Sequence, residues 1–197
     1  MKKIVLVIIA LSLCIGAGAQ IKRHEFNFGG GLSAHPDKLF EQYFPKMNSA
    51  GLDLHDLYEP LYKEVLYSPL AVIEYDYNFL PWLKAGMTAN YFAMWGKRYY
   101  VYNGEEDGTK AVHAISLLPH VKFNAISKDH FKLYGGLGCG AAIMLSNDAG
   151  AKSTDISFVY EIVPVGIEFG GEYVYGLTEL TITNVFFGLR LGVGFRF

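Results

Sequence analysis

Hydrophobic and polar residues alternate with a period of two along most of this chain, most clearly in its last stretch. Phe187, Leu189, Leu191, Val193, Phe195 and Phe197 share one face; Gly188, Arg190, Gly192, Gly194 and Arg196 share the other. Successive side chains of a strand point to opposite sides, so this is a strand with two unlike faces. Similar segments recur at 23–34, 67–79, 82–102, 109–126, 131–146, 156–169 and 173–183, separated by turn-forming residues such as Leu80-Pro81 and Gly170-Gly171-Glu172. Eight strands are expected. In the sixth, the apolar set changes parity, from Ile156, Phe158, Tyr160 and Ile162 to Val165, Ile167 and Phe169. Pro164 lacks the N–H that a ladder needs, so a bulge there accounts for the slip and puts Glu161 and Glu168 on one face. Residues 36–66 carry no strand pattern. Within them, 37–44 has helical spacing after an Asp37 cap and before Pro45, so a long, partly helical first loop is expected.

The start of the chain bears on what the apolar faces meet. Lys2 and Lys3 precede an apolar run over 4–15, and Ala17-Gly18-Ala19 forms an A-x-A cleavage site. Residues 1–19 read as a secretory signal peptide and 20–197 as one mature domain. The apolar run is shorter than the roughly 20 residues of a membrane-spanning helix. A lipoprotein signal ending at Cys14 is disfavoured, because Leu13 stands where a small residue belongs. No later run is long and apolar enough for a spanning helix, so a membrane form of this chain is a closed barrel, with no open sheet edge in hydrocarbon. Aromatic residues at 15% and 22 glycines suit barrel strands bearing aromatic girdles.

Charge and cysteine content narrow the classes. A net charge of −2 argues against a nucleic-acid partner. Cys139 is the single cysteine after the signal, which leaves no intramolecular disulfide and no thiolate metal cluster. The less apolar face collects charges of both signs: Arg23, Glu25, Glu74, Asp76, Lys84, Arg98, Lys122, Lys132, Glu161, Glu168, Glu179, Arg190 and Arg196. A soluble lipocalin-like barrel would turn its apolar faces inward around a ligand. Here the glycines scattered among the charges fit the crowded inside of a narrow barrel, and the long apolar side chains fit lipid. The fold expected is therefore all-β: an eight-stranded antiparallel up-and-down transmembrane β-barrel. Opposite charges confined in its lumen should pair. The expected network is Glu74, Asp76, Lys122, Glu161, Glu168, Glu179, Arg190 and Arg196, with the two arginines meeting Glu161, Glu168, Glu179 or Glu74.

These features resemble the outer-membrane β-barrel domain family, the small barrels akin to the OmpA transmembrane domain and OmpX. The end of the chain also resembles the β-signal read by the barrel-assembly machinery, carried here by Arg190, Gly192, Phe195 and Phe197. The resemblance implies a bacterial outer-membrane location with both termini periplasmic. It implies a monomer in contact with membrane lipid and lipopolysaccharide, assisted by the assembly machinery during biogenesis. It implies a structural or surface-interaction role through the outer loops, without enzymatic activity and without a cofactor. The alternatives are a narrow passive pore and, behind it, a lipid A-modifying barrel enzyme.

No catalytic, cofactor or metal set emerges from the motifs. His113 and Ser116 are three apart on a strand and face opposite ways, which rules them out as a direct base and nucleophile pair. His35, Asp53, His55, Asp56 and Glu59 lie in the first loop; His55 and Glu59 would share a face if the segment were helical, but no four-ligand spacing is fixed. The glycines of 135–140 mimic a nucleotide loop. Strand alternation continues through them, whereas that motif needs a helix to open. Cys139 falls on the apolar face as a small inert residue.

Overall fold

The computed structural model describes residues 23–33, 43–44, 60–100, 104–128, 130–184 and 187–197. Nine strands follow in chain order: β1 His24–Ser33, β2 Pro60–Tyr67, β3 Leu70–Leu80, β4 Leu83–Tyr100, β5 Glu106–Lys128, β6 Phe131–Asp148, β7 Ala151–Gly170, β8 Val174–Thr183 and β9 Phe187–Arg196. Every pairing is antiparallel. The ladder runs β1, β3, β4, β5, β6, β7, β8, β9 and returns to β1. Chain neighbours β3 and β4, β5 and β6, and β7 and β8 meet at Leu80 and Leu83, Lys128 and Phe131, and Gly170 and Tyr175. These lie at the end of the sheet that carries both described termini, hereafter the lower end. The opposite, upper end carries Ser33, Pro60, Tyr100, Asp148, Ala151 and Thr183.

The count of nine and the expected eight differ through one interruption. β3 pairs with the lower half of β4, from Leu80↔Leu83 to Ala71↔Tyr91, and β2 pairs with its upper half, from Tyr67↔Met94 to Pro60↔Tyr100. β2 and β3 are thus one line of chain broken at Ser68-Pro69. Pro69 has no N–H to give the ladder, but the break stays tied to β4: the Ser68 N–H donates to the Ala93 carbonyl at 2.9 Å, and the Ala93 N–H donates to Ser68 Oγ at 2.8 Å.

Three sequence expectations need correction or placement. The second strand begins at Pro60, inside the segment read as patternless. A register shift between Lys63 and Leu66, with Glu64 at φ 51°, breaks the alternation there, which is why period two does not show. The stretch left between the strands expected at 131–146 and 156–169 is mostly strand and closes on a two-residue turn, Ala149-Gly150, with φ 47° and 96°; two positive values fit the primed turns that match strand twist. The helix expected over 37–44 lies outside the described residues except for Tyr43 and Phe44. The bulge expected at Pro164 is present: register shifts between Ile162 and Val165, and Glu161 and Glu168 are both buried on the inner face.

Strand lengths divide the sheet. β1, β8 and β9 have 10 residues each, close to the roughly 9–11 that cross a hydrocarbon core when tilted. β4 to β7 have 18, 23, 18 and 20 residues. At about 3.3 Å per residue their upper halves stand well beyond the short strands, as a tall wall on one side. The seam between first and last strands is closed by backbone alone at its middle. Gly29 faces Gly192, and a Cβ on either would lie 2.6 Å from a carbonyl oxygen of the opposite strand, so neither position admits a side chain without backbone movement.

Outward positions carry the large apolar residues, among them Phe28, Ile73, Leu117, Leu137, Ile143 and Leu191. Rings gather near both ends of this belt. At the lower end His24 stacks on Phe197 at 5.7 Å, and Trp82 stacks on Phe123 at 6.4 Å. Higher up, Tyr91 stacks on His113 at 6.2 Å. Cys139 is also outward and exposed.

Candidate functional site

The interior has two layers of opposite chemistry. The lower is ionic. Strand parity drives it: Glu25 and Asn27 on β1, Glu74 and Asp76 on β3, Lys84 and Thr88 on β4, and His120 and Lys122 on β5 all point inward and are buried. Glu161, Glu168, Glu179, Arg190 and Arg196 complete the layer from β7, β8 and β9.

Two hubs organise these charges. Glu25 accepts Lys84 Nζ at 2.6 Å, Arg196 Nε at 3.0 Å and Lys132 Nζ at 3.2 Å; Lys84 also reaches Glu168 at 2.6 Å, and Arg196 pairs with Glu168. The Tyr175 hydroxyl sits 3.1 Å from Glu25 and donates to Asn27 Oδ1 at 2.6 Å, with the Arg196 guanidinium 3.7 Å from its ring centroid. The second hub is Glu74. It takes Lys122 Nζ at 2.5 Å, Asn27 Nδ2 at 2.7 Å, the Thr88 hydroxyl at 3.1 Å and Arg190 at 3.2 Å. Lys122 and Arg190 each reach Glu179 at 2.9 Å, Arg190 reaches Glu161 at 2.8 Å, and Tyr134 donates to Glu179 at 2.7 Å.

All eight residues of the expected network thus occupy this layer. Arg190 meets Glu74, Glu161 and Glu179; Arg196 meets Glu168, and its other partner is Glu25. The alternation puts Glu25, Lys84 and Lys132 on the charged face without singling them out, although Glu25 meets the same three cations as Glu168 of the expected set: Lys84, Lys132 and Arg196. Tyr175, Tyr134 and Asn27 carry no charge and gave no signal as network members. Parity would have found Tyr175, four residues before Glu179 on the same face. Of the residues read as an assembly signal, Arg190 is buried inside, Gly192 sits at the seam, and Phe195 and Phe197 are exposed on the outer face.

The upper layer is apolar. Phe92 and Met94 of β4, Val112, Ala114 and Leu118 of β5, Ala142 and Met144 of β6, and Val159 of β7 form one buried cluster with Leu70 and Val72. Their strand segments are apolar on both faces, as in residues 91–95 and 141–145, which signals burial on one side and lipid or packing on the other.

Tyr43 and Phe44 of the first loop cap this layer. Phe44 packs edge-on against Tyr62 at 5.3 Å, and a Cβ at Gly96 would lie 2.7 Å from its ring, so the absence of a side chain at Gly96 makes the seat. Lys110 Nζ lies 5.6 Å from the Phe44 ring centroid and 4.8 Å from that of Tyr62. The Tyr43 hydroxyl donates to Asp155 at 2.9 Å and the Tyr62 hydroxyl to Asp148 at 2.6 Å. Arg98 pairs with Asp107 and, at 3.3 Å, with Asp148. Burial and the bond to Asp155 push the Tyr43 phenol up to about 12, and burial and the bond to Asp148 raise Tyr62.

Chemically this interior holds charge and excludes solvent. Glu74, Asp76 and His120 bring ligand atoms within 4.8 Å of one another, the one such trio among the described residues. The Lys122 ammonium is 2.5 Å from Glu74 and 3.7 Å from Asp76, so it already supplies the cation that these carboxylates need. His113 and Ser116 lie on opposite faces of β5. His113 Nδ1 is 2.9 Å from the Tyr91 hydroxyl on the outer surface, a girdle contact with no nucleophile beside it among the described residues. The other loop candidates, His35, Asp53, His55, Asp56 and Glu59, lie outside the described residues.

No protein-family model matches the chain, and neither does any curated protein. Solved structures do. The N-terminal β-barrel domain of Pseudomonas aeruginosa OprF aligns over 89% of this chain and 98% of its own, with TM-score 0.51 and 10% identity. Ail, the attachment invasion locus protein of Yersinia pestis, aligns over 89% of this chain at 15% identity. Its complex with the heparin analogue sucrose octasulfate gives TM-score 0.46 over 98% of that chain, and a second structure of Ail 0.41 over 97%. The chain has the all-β, up-and-down fold of small outer-membrane β-barrels such as the OprF domain.

Proposed function

We propose that this chain is an integral protein of the bacterial outer membrane: a closed, eight-stranded transmembrane barrel, non-enzymatic, acting through its outer side in a structural or surface-interaction role. Residues 1–19 are its removable leader, and both ends of the mature barrel face the periplasm. The observation that carries this reading is the division of side chains between two solvents. Large apolar residues cover the outward face between two groups of rings, while the ionic residues of the same strands turn inward and pair. That division is the inverse of a soluble barrel, and hydrocarbon is the solvent that stabilises it.

The tall wall formed by β4 to β7, with Tyr43 and Phe44 anchoring the first loop against it, supports a role outside the membrane rather than within the lumen. The partners are membrane lipid and lipopolysaccharide, with the barrel-assembly machinery acting on the chain end at Arg190, Gly192, Phe195 and Phe197 during biogenesis; the barrel works as a monomer. The test is fractionation of expressing cells. Recovery in the outer membrane with extraction only by detergent is expected; recovery in the soluble periplasm would overturn the reading. Planar-bilayer recordings should show no discrete conductance steps, and lipid A acylation should be identical with and without the protein. Steps would turn the role into a pore, and an altered acyl pattern into an enzyme.

A further inference from the structure

The hydrogen bonds around His120 point to a charge state that the charge balance of the layer also requires. Among the described residues the ionic layer holds six carboxylates, Glu25, Glu74, Asp76, Glu161, Glu168 and Glu179, against five lysine and arginine side chains, Lys84, Lys122, Lys132, Arg190 and Arg196. One positive charge is missing. We propose that His120 is that sixth cation: an imidazolium built into the folded barrel, with both ring nitrogens protonated and both donating.

The geometry fixes both protons. Nε2 of His120 is 2.6 Å from Asp76 Oδ1. A proton must lie between them. Lys122 Nζ, 3.7 Å away, and Asn27 Nδ2, 3.3 Å away, both point donors at the Asp76 carboxylate, whose oxygens therefore act as acceptors and leave that proton on the ring. Nδ1 of His120 is 3.0 Å from Thr88 Oγ1. Thr88 has one hydroxyl proton, and the Glu74 carboxylate lies 3.1 Å from the same oxygen. A carboxylate only accepts, so the hydroxyl proton goes to Glu74 and Thr88 must accept from Nδ1–H. A neutral ring in either tautomer leaves two acceptors facing each other across a buried contact, a costly arrangement.

Burial and two nearby ammonium groups, Lys84 and Lys122, oppose a charge on the ring, but both are held by carboxylates of their own. Asp76 and Glu74 face His120 from β3. Thr88 faces it from β4, where Lys84 is engaged with Glu25 and Glu168, and Lys122 lies two residues along on β5, engaged with Glu74 and Glu179. From β6 the neighbour is Gly138, whose missing side chain leaves room for the ring: a Cβ there would be 3.0 Å from that of His120. A divalent metal on Glu74, Asp76 and His120 would take the ring's lone pair and overshoot the balance with Lys122 in place.

The test uses the intact protein, folded in detergent micelles and 15N-labelled at histidine, with His120→Gln identifying the signal. At neutral pH both ring nitrogens of His120 should show directly bonded protons, and added zinc should leave the signal unmoved. A single protonated nitrogen, or a zinc-dependent shift, overturns the proposal. Charge balance supplies a second readout. His120→Gln should speed unfolding in denaturant by roughly a hundredfold or more, since an unbalanced buried carboxylate remains. Adding Asp76→Asn should recover much of that loss. If the double variant is as labile as the two single losses combined, the charge assignment is wrong and the ring acts by packing alone.

Discussion

The two halves of the lumen occupy equivalent inward positions on the same strands and are filled by opposite means. On β4, Lys84 and Thr88 point into the ionic layer, while Phe92 and Met94, further along the same face, point into the apolar one. On β5 the order runs the other way, from Val112, Ala114 and Leu118 down to His120 and Lys122. The ionic half is held by named partners: each carboxylate is matched to particular cations, so a single deletion strands several groups at once. The apolar half is held by volume, where any side chain that fills the space serves. The first kind of filling specifies register and orientation; the second stabilises by excluding water and offers a surface onto which a loop can dock.

This contrast ranks the consequences of substitution. The largest falls on Glu25, fully buried and shared by Lys84, Lys132 and Arg196. Glu25→Gln strands these cations and should cost about 3–5 kcal/mol, as for other broken buried ion pairs. Equilibrium urea unfolding in lipid vesicles measures it; a loss under about 1 kcal/mol would show that the pairs offset their desolvation only weakly and that the hub is dispensable. Next comes Met94→Ala in the upper layer, where the residue has no exposed surface. Its expected cost is about 2–4 kcal/mol, scaling with the cavity left. Met94→Leu, which nearly conserves volume, should cost less than about 1.5 kcal/mol. Equal costs for the two would mean that the upper half is not held by volume.

The same contrast explains what could be read from the sequence. The lower half was legible because charge and hydrophobicity alternate: Glu74 and Asp76 stand between Ile73, Tyr75 and Tyr77, so parity alone assigns the faces. The parity slip at Pro164 could be read for the same reason. The upper half was less legible: both faces of residues 91–95 and 111–118 are largely apolar, so the faces there follow only by carrying parity up from the lower half, and the apolar filling itself gives no separate signal. β2 was hidden by its own bulge near Glu64. The partners within the ionic layer were only partly legible. Sign and face can be read from one strand, but which glutamate meets which arginine depends on register around the ring. Uncharged members such as Asn27 and Tyr175 leave no charge signal at all.

Smaller effects are expected where the loop meets the apolar half. Phe44→Ala empties the seat beside Gly96 and Tyr62 and should weaken docking of the first loop by about 2 kcal/mol, the order expected for burying one aromatic side chain. Hydrogen exchange in the peptide spanning Tyr43 and Phe44 should speed up, while exchange in β1, β8 and β9 stays at its wild-type rate. Gly96→Ala should act in the same direction, because its Cβ would lie 2.7 Å from the Phe44 ring. If loop exchange is unchanged in both variants, Phe44 is a bystander and the cap is held elsewhere.

The smallest effect is a pH dependence of that cap. The Tyr43 phenol is raised to about 12 by burial and by its bond to Asp155, whereas a free tyrosine ionises near about 10. A group whose value is higher in the docked state stabilises that state fully below the undocked value, and the contribution is lost as pH rises through the docked one. Loop docking should therefore be constant up to about pH 10 and weaken between there and about pH 12. Tyr43→Phe keeps the ring and removes the hydroxyl. It should cost about 1 kcal/mol of docking at neutral pH and flatten the part of the alkaline decline that belongs to Tyr43, leaving the part due to Tyr62, which is bonded to Asp148. Exchange in the loop peptide measured from pH 8 to 11, corrected for the intrinsic rate, separates these contributions. A wild-type loop that docks equally well across that range would mean that the phenol and Asp155 do not hold the cap, and that apolar contact with the upper layer is enough.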